Sequence, residues 1–464
     1  MNAAHEPPLP AIEAVLARMA GYAPRPAMFH RGAEIDYARF LELIRGWRAR
    51  FGSLGIGPGS VVAVLGDYSP STCALFFALM LERAIAVPFT KSIHAELDRF
   101  IEIAGVEVLI TIDAEDRDGA RRIDAPPRNP LVAAFLAQRM PGLIVFTSGS
   151  TGEPKGILHN CEQVMKKFAT ERPGWRTILF LLMDHFGGFN TFLGAFAYGG
   201  VAVCVRDRSP EAVCEAIQAA RATLLPTTPT FINLLIASNV YRSFDCSSVR
   251  MITYGTEVMP EATLAKVRAI FPNAQIKQTY GLSELGVLRS KSESDASLWV
   301  KIGGDGFEVK IVDDVLWVRS EANMVGYLNA PSPFDDDGWM CTGDHVETKG
   351  EFMRIIGRKS DMINVGGQKV FPAEVETVLL EAPNVRDATV YGGPHPIMGQ
   401  IVLARIALDE PEAAESVTER LRAHCVKRLQ KYKVPVRFTI VAGEAQHSDR
   451  FKKVRRGLED AAIT

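Results

Sequence analysis

The sequence predicts an α/β protein with a large N-terminal domain and a small C-terminal α+β domain. From about residue 36 to 285, short β-rich runs alternate with helical patterns, which is typical of mostly parallel sheets covered by helices. Residues 299–330 carry Gly-Gly, Asp-Gly and Asp-Asp turns between short strands, which indicates a small antiparallel or barrel-like element. After about residue 350 the pattern becomes that of a compact unit of roughly 100 residues, the size of a separate domain.

The elements of the N-terminal part follow from apolar runs bounded by turn residues and from helical periodicity. Predicted strands include Val61–Leu65, Ala86–Phe89, Val108–Ile112, Leu143–Thr147, Ile178–Met183, Val201–Val205 and Gln275–Tyr280. Predicted helices include Tyr37–Phe51, Ser71–Glu82, Glu162–Glu171, Pro210–Arg221 and Pro260–Phe271. This alternation predicts helices on both faces of the sheets.

The C-terminal elements are fewer and shorter. Strands Phe307–Ile311 and Val315–Val318 belong to the barrel-like element. The C-terminal unit is predicted to contain strand Glu351–Ile356, helix Pro372–Ala382, strands Arg386–Tyr391 and Ile401–Leu408, helix Glu415–Gln430 and strand Arg437–Val441. We expect a large domain over residues 1–356, a hinge over 357–361 and a small domain over 362–464.

The composition excludes several classes of protein. The 464 residues are 47% hydrophobic and 23% charged with a formal net charge of −2, which argues against a disordered chain and against a nucleic-acid partner.

The seven cysteines are scattered without a CxxC pair, which favours reduced thiols and no zinc site. Apolar runs such as Ala74–Leu81 are about half the ~20 residues that a membrane span needs. With no export signal recognised, we expect a cytoplasmic protein without a membrane span.

The strongest motif is the segment Leu143–Gly156, an apolar strand that leads into a loop of glycines and hydroxyl residues, with a helical pattern after it. Glycines let backbone N–H groups approach an anion, and hydroxyls and a lysine add donors and charge. The spacing is not that of a Walker P-loop. The alternative, a flexible Gly/Ser turn, explains the long run of such residues less well. The candidate phosphate-binding residues are Thr147, Ser148, Gly149, Ser150, Thr151, Gly152 and Lys155.

The loop sequence TSGSTGEPKG resembles the phosphate-loop signature of the adenylate-forming enzymes. These include acyl- and aryl-CoA synthetases, adenylation domains of peptide synthetases and firefly luciferase. Further motifs of this family follow in order, so the resemblance covers about residues 12–458. It implies ATP and Mg²⁺ as cofactors, coenzyme A as thiol co-substrate, a small-molecule carboxylic acid as substrate and a mobile C-terminal domain.

Two segments of the large domain resemble the family's adenine-binding motifs. In Gln278–Glu284, the resemblance and the stacking ability of an aromatic ring assign Tyr280 to adenine, and Glu284 is a hard oxygen ligand suited to Mg²⁺. Gly281 and Ser283 belong to the same motif. The alternative is a strand-end turn with a surface acid. The second segment is expected to line adenine with its backbone and comprises Gly255, Thr256 and Glu257.

Two further segments resemble the ribose site and the hinge. Gly338–Asp344 matches the family's Gly-Trp…Thr-Gly-Asp segment, in which Asp344 would accept from both ribose hydroxyls; a simple turn Asp is the alternative. In the segment 357–376, Arg358 would contact ribose or phosphate and Ser360 would be the pivot. Gly366 and Gly367 would let a slender thiol arm pass close to the backbone. This segment looks more like CoA ligases than peptide-synthetase domains.

The basic stretch Arg450–Leu458 resembles the segment that supplies the adenylation lysine. Counting back from its Arg-Arg pair assigns that role to Lys452, with Lys453 as runner-up. Phe451 replaces the glycine that relatives carry. The alternative interpretation is a solvated basic stretch.

The implied reaction has two halves: a carboxylate attacks the α-phosphorus of ATP to give acyl-AMP and pyrophosphate, and the thiol of coenzyme A then displaces AMP. The acid pocket is expected from residues 184–190, 226–231 and 254–257. His185 matches a histidine of CoA ligases and joins Lys452 and Glu284 as a candidate catalytic residue, although a satisfied core histidine is the alternative. Phe186 stands where amino-acid-activating relatives have Asp. With Phe189 it predicts an apolar or aromatic acid, not an α-amino acid.

Other functions remain open at this stage. The same residues would serve an enzyme that loads the thiol of an acyl carrier protein or forms an amide. A non-catalytic nucleotide-binding protein with the same fold is a further alternative, which the Phe451 replacement favours.

Overall fold

The computed structural model of the protein describes residues 7–93, 96–124, 128–148, 153–304, 306–441, 447–448, 453 and 455. In the first half of the chain the strands are β1 (Pro26–His30), β2 (Ala33–Asp36), β3 (Val61–Leu65), β4 (Ile85–Phe89), β5 (Val108–Ile112), β6 (Asp118–Arg122), β7 (Gly142–Ser148), β8 (Pro154–Asn160), β9 (Arg176–Ile178), β10 (Val201–Val203) and β11 (Leu224–Thr227). They are followed by β12 (Met251–Tyr254), β13 (Gln275–Gln278), β14 (Tyr280–Leu282), β15 (Gly286–Leu288), β16 (Ser290–Ser292), β17 (Val300–Ile302), β18 (Phe307–Val312), β19 (Val315–Ser320) and β20 (Gly326–Tyr327). The last strands are β21 (Met340–Lys349), β22 (Phe352–Arg358), β23 (Ile363–Val365), β24 (Gln368–Val370), β25 (Val385–His395), β26 (Gly399–Leu408) and β27 (Arg437–Ile440).

The helices alternate with these strands. They are α1 (Pro10–Gly21), α2 (Tyr37–Leu54), α3 (Pro70–Leu81), α4 (Leu97–Ala104), α5 (Pro130–Leu136), α6 (Cys161–Lys166), α7 (Phe186–Ala197), α8 (Pro210–Ala220), α9 (Pro229–Ser238), α10 (Glu261–Ile270), α11 (Pro372–Leu380) and α12 (Ala414–Val426). Several begin at a polar residue that accepts a backbone N–H: Asp36 accepts from Arg39 at 2.7 Å, and Ser209 accepts from Ala212 at 3.1 Å. Such caps satisfy N–H groups that have no partner inside the helix.

Two seven-stranded sheets form the large N-terminal part. The first has the order β13-β12-β11-β9-β10-β1-β2 and is parallel except for the β1–β2 pair. The second has the order β20-β8-β7-β4-β3-β5-β6, with parallel pairs at its centre and antiparallel pairs at its edges. One buried cluster joins the two sheets through aromatic residues of α2, α3 and α7, and further apolar clusters cover their other faces. The predicted α/β class is confirmed.

The remaining sheets are smaller. An antiparallel six-stranded sheet has the order β16-β17-β22-β21-β19-β18, and a two-stranded pair joins β14 and β15. The C-terminal sheet contains β24, β23, β26, β25 and β27, with α11 and α12 packed in its core cluster. The sequence grouped strand Glu351–Ile356 with this C-terminal unit, but the corresponding β22 pairs with β21 and β17 in the six-stranded sheet.

The segment after the phosphate loop contains a strand that was not predicted. Lys155 and Gly156 lie in β8, which pairs antiparallel with β7, and the predicted helix Glu162–Glu171 is found as the shorter α6, which begins at Cys161. Ile157 and Leu158 are both fully buried, because β8 is covered on both faces and held between β7 and β20. A strand buried on both faces has no polar alternation, so this short strand lacks the period-2 signal by which strands are recognised.

Candidate active site

The predicted phosphate loop joins the two strands of a hairpin. Thr147 pairs with Lys155 and Ser148 pairs with Pro154 at its base. Asn329 fixes this base, because its side chain accepts from the N–H of Gly156 at 3.0 Å and donates to the carbonyl of Pro154 at 2.8 Å. The other candidate residues of the loop lie outside the described residues; they are Gly149, Ser150, Thr151 and Gly152.

The lysine of this hairpin and the candidate magnesium ligand share one neighbour. Lys155 Nζ lies 4.9 Å from the ring centre of Tyr327, and the Tyr327 hydroxyl donates to Glu284 Oε1 at 2.6 Å. Mg²⁺ bound to a triphosphate usually takes only one or two protein carboxylates. A carboxylate beside the phosphate hairpin therefore has the right donor type and place for that ion. No group of three or more acidic, His or Cys side chains in the described part of the chain could hold a metal by itself.

A cavity of about 120 Å³ lies between the large domain and the C-terminal elements. It brings together predicted residues from separate motifs, namely Thr256, Glu257, Tyr280, Gly281, Asp344 and Arg358. Its wall is completed from the C-terminal side by α11 residues and by two residues of the tail, Lys453 and Arg455. The predicted adenine, ribose and hinge motifs of the sequence thus converge on one cavity.

Asp344, Tyr280 and Arg358 form a hydrogen-bonded group in that cavity. The Tyr280 hydroxyl donates to Asp344 Oδ2 at 2.6 Å, and Arg358 Nε donates to Asp344 Oδ1 at 2.9 Å. Burial, and next the neighbouring Asp344 carboxylate, raise the pKa of Tyr280, so its hydroxyl stays protonated and keeps donating. The three side chains therefore hold one another at the cavity wall, with a carboxylate at the predicted ribose position.

The turn after β12 has a backbone that the sequence explains only in part. A Cβ on Gly255 would lie 2.7 Å from Thr279 Oγ1 and 2.8 Å from the Thr279 carbonyl oxygen, so only glycine fits there. Thr256 has φ +70°, a strained conformation for a β-branched residue. Glu257 Oε2 accepts from the Thr230 hydroxyl at 2.6 Å, which ties the turn to the first turn of α9.

Lys452 lies outside the described residues, but its neighbours in the tail are not a solvated basic stretch. Lys453 Nζ lies 3.4 Å from a carboxylate oxygen of each of Glu376 and Asp387, and Arg455 forms two hydrogen bonds with Glu376 at 2.9 and 3.0 Å. The backbone N–H of Lys453 also donates to Glu257 Oε1 at 3.0 Å. The ammonium group of Lys453 is therefore occupied by buried carboxylates, and the tail is bonded to the adenine-side turn.

Gly366 and Gly367 form the two-residue turn between β23 and β24, with φ values of +58° and +87°. Two adjacent positive φ values are enough to explain the glycine pair. Neither residue lines the nucleotide cavity. In the same region Ser360, the predicted pivot, lies in a single 3₁₀ turn over Lys359–Asp361 that follows β22.

A second cavity of about 400 Å³ adjoins the first and shares Thr256, Thr279, Tyr280 and Gly281 with it. It is lined by many apolar and aromatic side chains, including Phe168, Trp175, Leu181, Phe186, Tyr198, Leu224, Pro226 and Val287. The predicted residues that also line it are His185, Gly255 and Ser283. Such a cavity beside the nucleotide cavity suits the apolar part of an acid.

Near this second cavity the structure shows contacts that the sequence does not predict. His185 caps α7, and its Nδ1 accepts from the Gly187 N–H at 3.1 Å. Phe189 does not line the cavity; it packs in the core against Phe76 of α3 and Phe192. Sequence reasoning also missed Lys167 and Arg172, which line the cavity from the loop after α6.

Comparison with known proteins identifies the family. Residues 16–328 match the family model described as AMP-binding enzyme, and residues 374–450 match that of the AMP-binding enzyme C-terminal domain. Indoleacetate–CoA ligase of Aromatoleum aromaticum is 27% identical over 87% of this chain and 88% of its own. Among the described helices, none combines the length and apolar character needed to cross a bilayer.

Two solved structures show the same fold. Anthranilate CoA ligase AuaEII in complex with anthranoyl-AMP has a TM-score of 0.80 at 20% identity, covering 93% of each chain. The amide bond synthetase McbA of Marinactinospora thermotolerans has a TM-score of 0.72 at 24% identity, covering 93% of this chain and 96% of its own. The two-domain architecture expected from the motifs is confirmed at the level of the fold. With the family model matching well over half of its residues, the chain belongs to the AMP-binding enzyme family.

Proposed function

We propose that this protein activates a carboxylic acid with ATP, releases pyrophosphate, and transfers the acyl group from the resulting acyl-AMP to the thiol of coenzyme A. The observation that carries the proposal is the meeting of two cavities at Thr256, Thr279, Tyr280 and Gly281. One cavity is lined by residues of the predicted adenine, ribose and hinge motifs, and the other has many apolar and aromatic side chains in its lining. An acid and the α-phosphate of ATP bound there would meet at the shared residues.

The reaction requires two anions to approach each other. At ~4 Å two unit charges repel by about 1 kcal/mol in water and by about 4 kcal/mol at an effective dielectric constant of 20. We assign the hairpin residues, including Lys155, to the phosphates and Lys452 to the reacting carboxylate and α-phosphate. Mg²⁺, when bound at Glu284, would neutralise phosphate charge. No nucleophilic side chain is required, since the substrate carboxylate itself attacks.

We assign the remaining residues by their place in the nucleotide cavity. Asp344 would accept from the ribose hydroxyls, Tyr280 would stack on adenine, and Arg358 would contact ribose or phosphate. The occupied ammonium of Lys453 favours Lys452 as the adenylation lysine. Residues 1–356, 357–361 and 362–464 are proposed as large domain, hinge and small domain. Rotation about Ser360 would bring Gly366 and Gly367 to the thiol.

ATP–pyrophosphate exchange across a panel of apolar and aromatic acids tests the first half of the reaction. We expect exchange with at least one acid, and a loss of about 100-fold or more in Lys452→Ala, since a preorganised charge at the transition state contributes that much. ATP binding without exchange for any acid would instead identify a non-catalytic nucleotide-binding protein and refute the proposal.

The molecule that accepts the acyl group from acyl-AMP has to be tested separately. The solved relative McbA is an amide bond synthetase, so an amine acceptor is the second candidate, and an acyl carrier protein is the third. The experiment compares the rates of acyl transfer at equal concentrations of acyl-AMP. The acceptors are coenzyme A, a carrier protein with its phosphopantetheine arm, and a primary amine. Faster transfer to the amine or carrier protein than to coenzyme A would refute the proposed acceptor.

A further inference from the structure

The second cavity, which would hold the acyl part of the acid and is here called the acyl cavity, contains positively charged side chains that the proposed reaction does not use. Lys167 and Arg172 line it, and both lie outside the nucleotide cavity. None of the described residues that line the acyl cavity is Asp or Glu. The cavity therefore combines apolar and aromatic walls with cationic groups and no opposite charge of its own.

The ammonium of Lys167 is held only by neutral groups in the contacts that the structure gives it. Nζ donates to Asn190 Oδ1 at 2.6 Å and to the Val287 carbonyl at 3.0 Å, and it lies 5.5 Å from the ring centre of Phe168. An ammonium has three N–H donors, so one remains for a ligand. These contacts also fix its position, since both acceptors belong to ordered elements.

More positive charge surrounds this group. Burial, followed by the charges of Arg172, Arg289 and Lys277, lowers the pKa of Lys167 to about 7. Burial and Arg172 likewise lower the pKa of Lys277. Arg172 and Arg289 are exposed and Lys277 is half-buried, so solvent weakens these repulsions. A bound anion would favour the charged form of Lys167.

A hydroxyl in the same cavity lacks a partner as well. Thr227 is 2% exposed, lines the cavity, and its Oγ1 has no hydrogen-bond partner among the described residues. Buried polar atoms normally have a partner. Thr227 pairs with Tyr254 at the ends of β11 and β12, next to the turn that lines both cavities, so this hydroxyl lies toward the reacting end of the cavity.

These observations distinguish two parts of the cavity lining. The reacting carboxylate is expected at the residues shared with the nucleotide cavity, whereas Lys167 and Arg172 belong to the acyl cavity alone. On the function proposed above, we propose that the acid substrate carries a second carboxylate beyond an apolar or aromatic body, and that Lys167 and Arg172 bind this second carboxylate. The substrate class is thus a dicarboxylic acid rather than a purely apolar acid.

Matched pairs of acids test this assignment by ATP–pyrophosphate exchange. The pairs are octanoate with octanedioate, and 3-phenylpropanoate with 3-(4-carboxyphenyl)propanoate. We expect kcat/KM to be at least about tenfold higher for the diacid of at least one pair, the effect of one charge-assisted hydrogen bond. Lys167→Met should lower the diacid-to-monoacid ratio by about tenfold, and Lys167→Arg should retain most of it because the charge remains.

The neighbouring Lys166→Met is the matched control, because Lys166 is exposed at the end of α6 and should leave the ratio unchanged. Thermal melting and calorimetric binding of the diacid separate lost binding from lost folding. If kcat/KM for the monoacids equals or exceeds that for every diacid, the inference is wrong and the proposed function still stands. An unchanged ratio in Lys167→Met and in Arg172→Gln also overturns it. Exchange with no acid at all overturns the proposed function, and the inference with it.

Discussion

Replacing Lys453 with methionine should destabilise the protein, whereas the same change at Lys452 should remove adenylation without destabilising it. Residues Glu376 and Asp387 are 3% and 4% exposed, and Lys453 Nζ lies 3.4 Å from a carboxylate oxygen of each. Lys453 and Arg455 are the cations beside these two buried carboxylates, and His447 Nε2 also lies 2.9 Å from Asp387 Oδ2. Lys453→Met removes the lysine that contacts both carboxylates.

Breaking a buried ion pair by removing one partner costs about 3–5 kcal/mol. We therefore expect the free energy of unfolding to fall by about that amount in Lys453→Met, measured by urea denaturation followed by circular dichroism. The double variant Lys453→Met with Asp387→Asn restores the charge balance and should recover part of the loss. Lys301→Met is the matched control, because it removes a pair with Glu351 that is exposed on both sides, and such pairs contribute at most about 1 kcal/mol.

A cost of Lys453→Met no larger than that of the surface control would refute the view that this lysine is structural. So would a loss of pyrophosphate exchange in Lys453→Met at unchanged stability, since that result would assign the catalytic role to Lys453 instead of Lys452. Stability and exchange are to be measured on the same preparations, so that the two roles are separated within one experiment.

Three further outcomes are expected. Gly255→Ala should weaken ATP binding, measured by calorimetry, by about tenfold or more, because its methyl group would collide with the Thr279 backbone and shift the turn; unchanged affinity would contradict this. Asp344→Asn should raise the KM for ATP by about tenfold, since a charge-assisted hydrogen bond becomes neutral, with pyrophosphate exchange as the assay. Burial would raise the pKa of Glu376, but the charges of Arg455 and Lys453 lower it overall. The stabilising contribution of this carboxylate is present above its ordinary pKa and is lost as the pH falls through the lowered value. The melting temperature should therefore decline below about pH 4, and it should decline less steeply in Lys453→Met.

Much of the fold could be predicted because local signals agree with the tertiary structure. Strand Val61–Leu65 is found with its predicted bounds, since a short apolar run between glycine-rich turns has few other solutions in an α/β protein. Helix α7 was not predicted, because its first turn contains Gly187 and Gly188. Gly188 is required there by packing: a Cβ would lie 1.9 Å from the Leu182 carbonyl oxygen. Such tertiary demands leave no pattern in a single sequence.

The candidate site likewise contains residues that the sequence predicts and residues that it does not. Motif residues such as Asp344 and Tyr280 could be found because each belongs to a recognisable segment. Lys167 could not, since its meaning arises from Asn190, Val287 and Arg172, which are brought together only by folding. Lys453 was the second candidate for the catalytic lysine because the sequence shows a lysine there. The two buried carboxylates that contact it are visible only in the fold.

The separate origins of the two cavity walls bear on how such a protein can acquire new substrates. One wall of the acyl cavity comes from the loop at residues 167–175 and from α7, whereas the residues proposed to bind ribose and adenine lie in β14, β21 and β22 and in the turn after β12. Substitutions at distant, independent positions usually combine additively. Libraries confined to the 167–175 loop should therefore redirect acid choice while the ATP chemistry is inherited unaltered, which makes this loop the natural starting point for redesign.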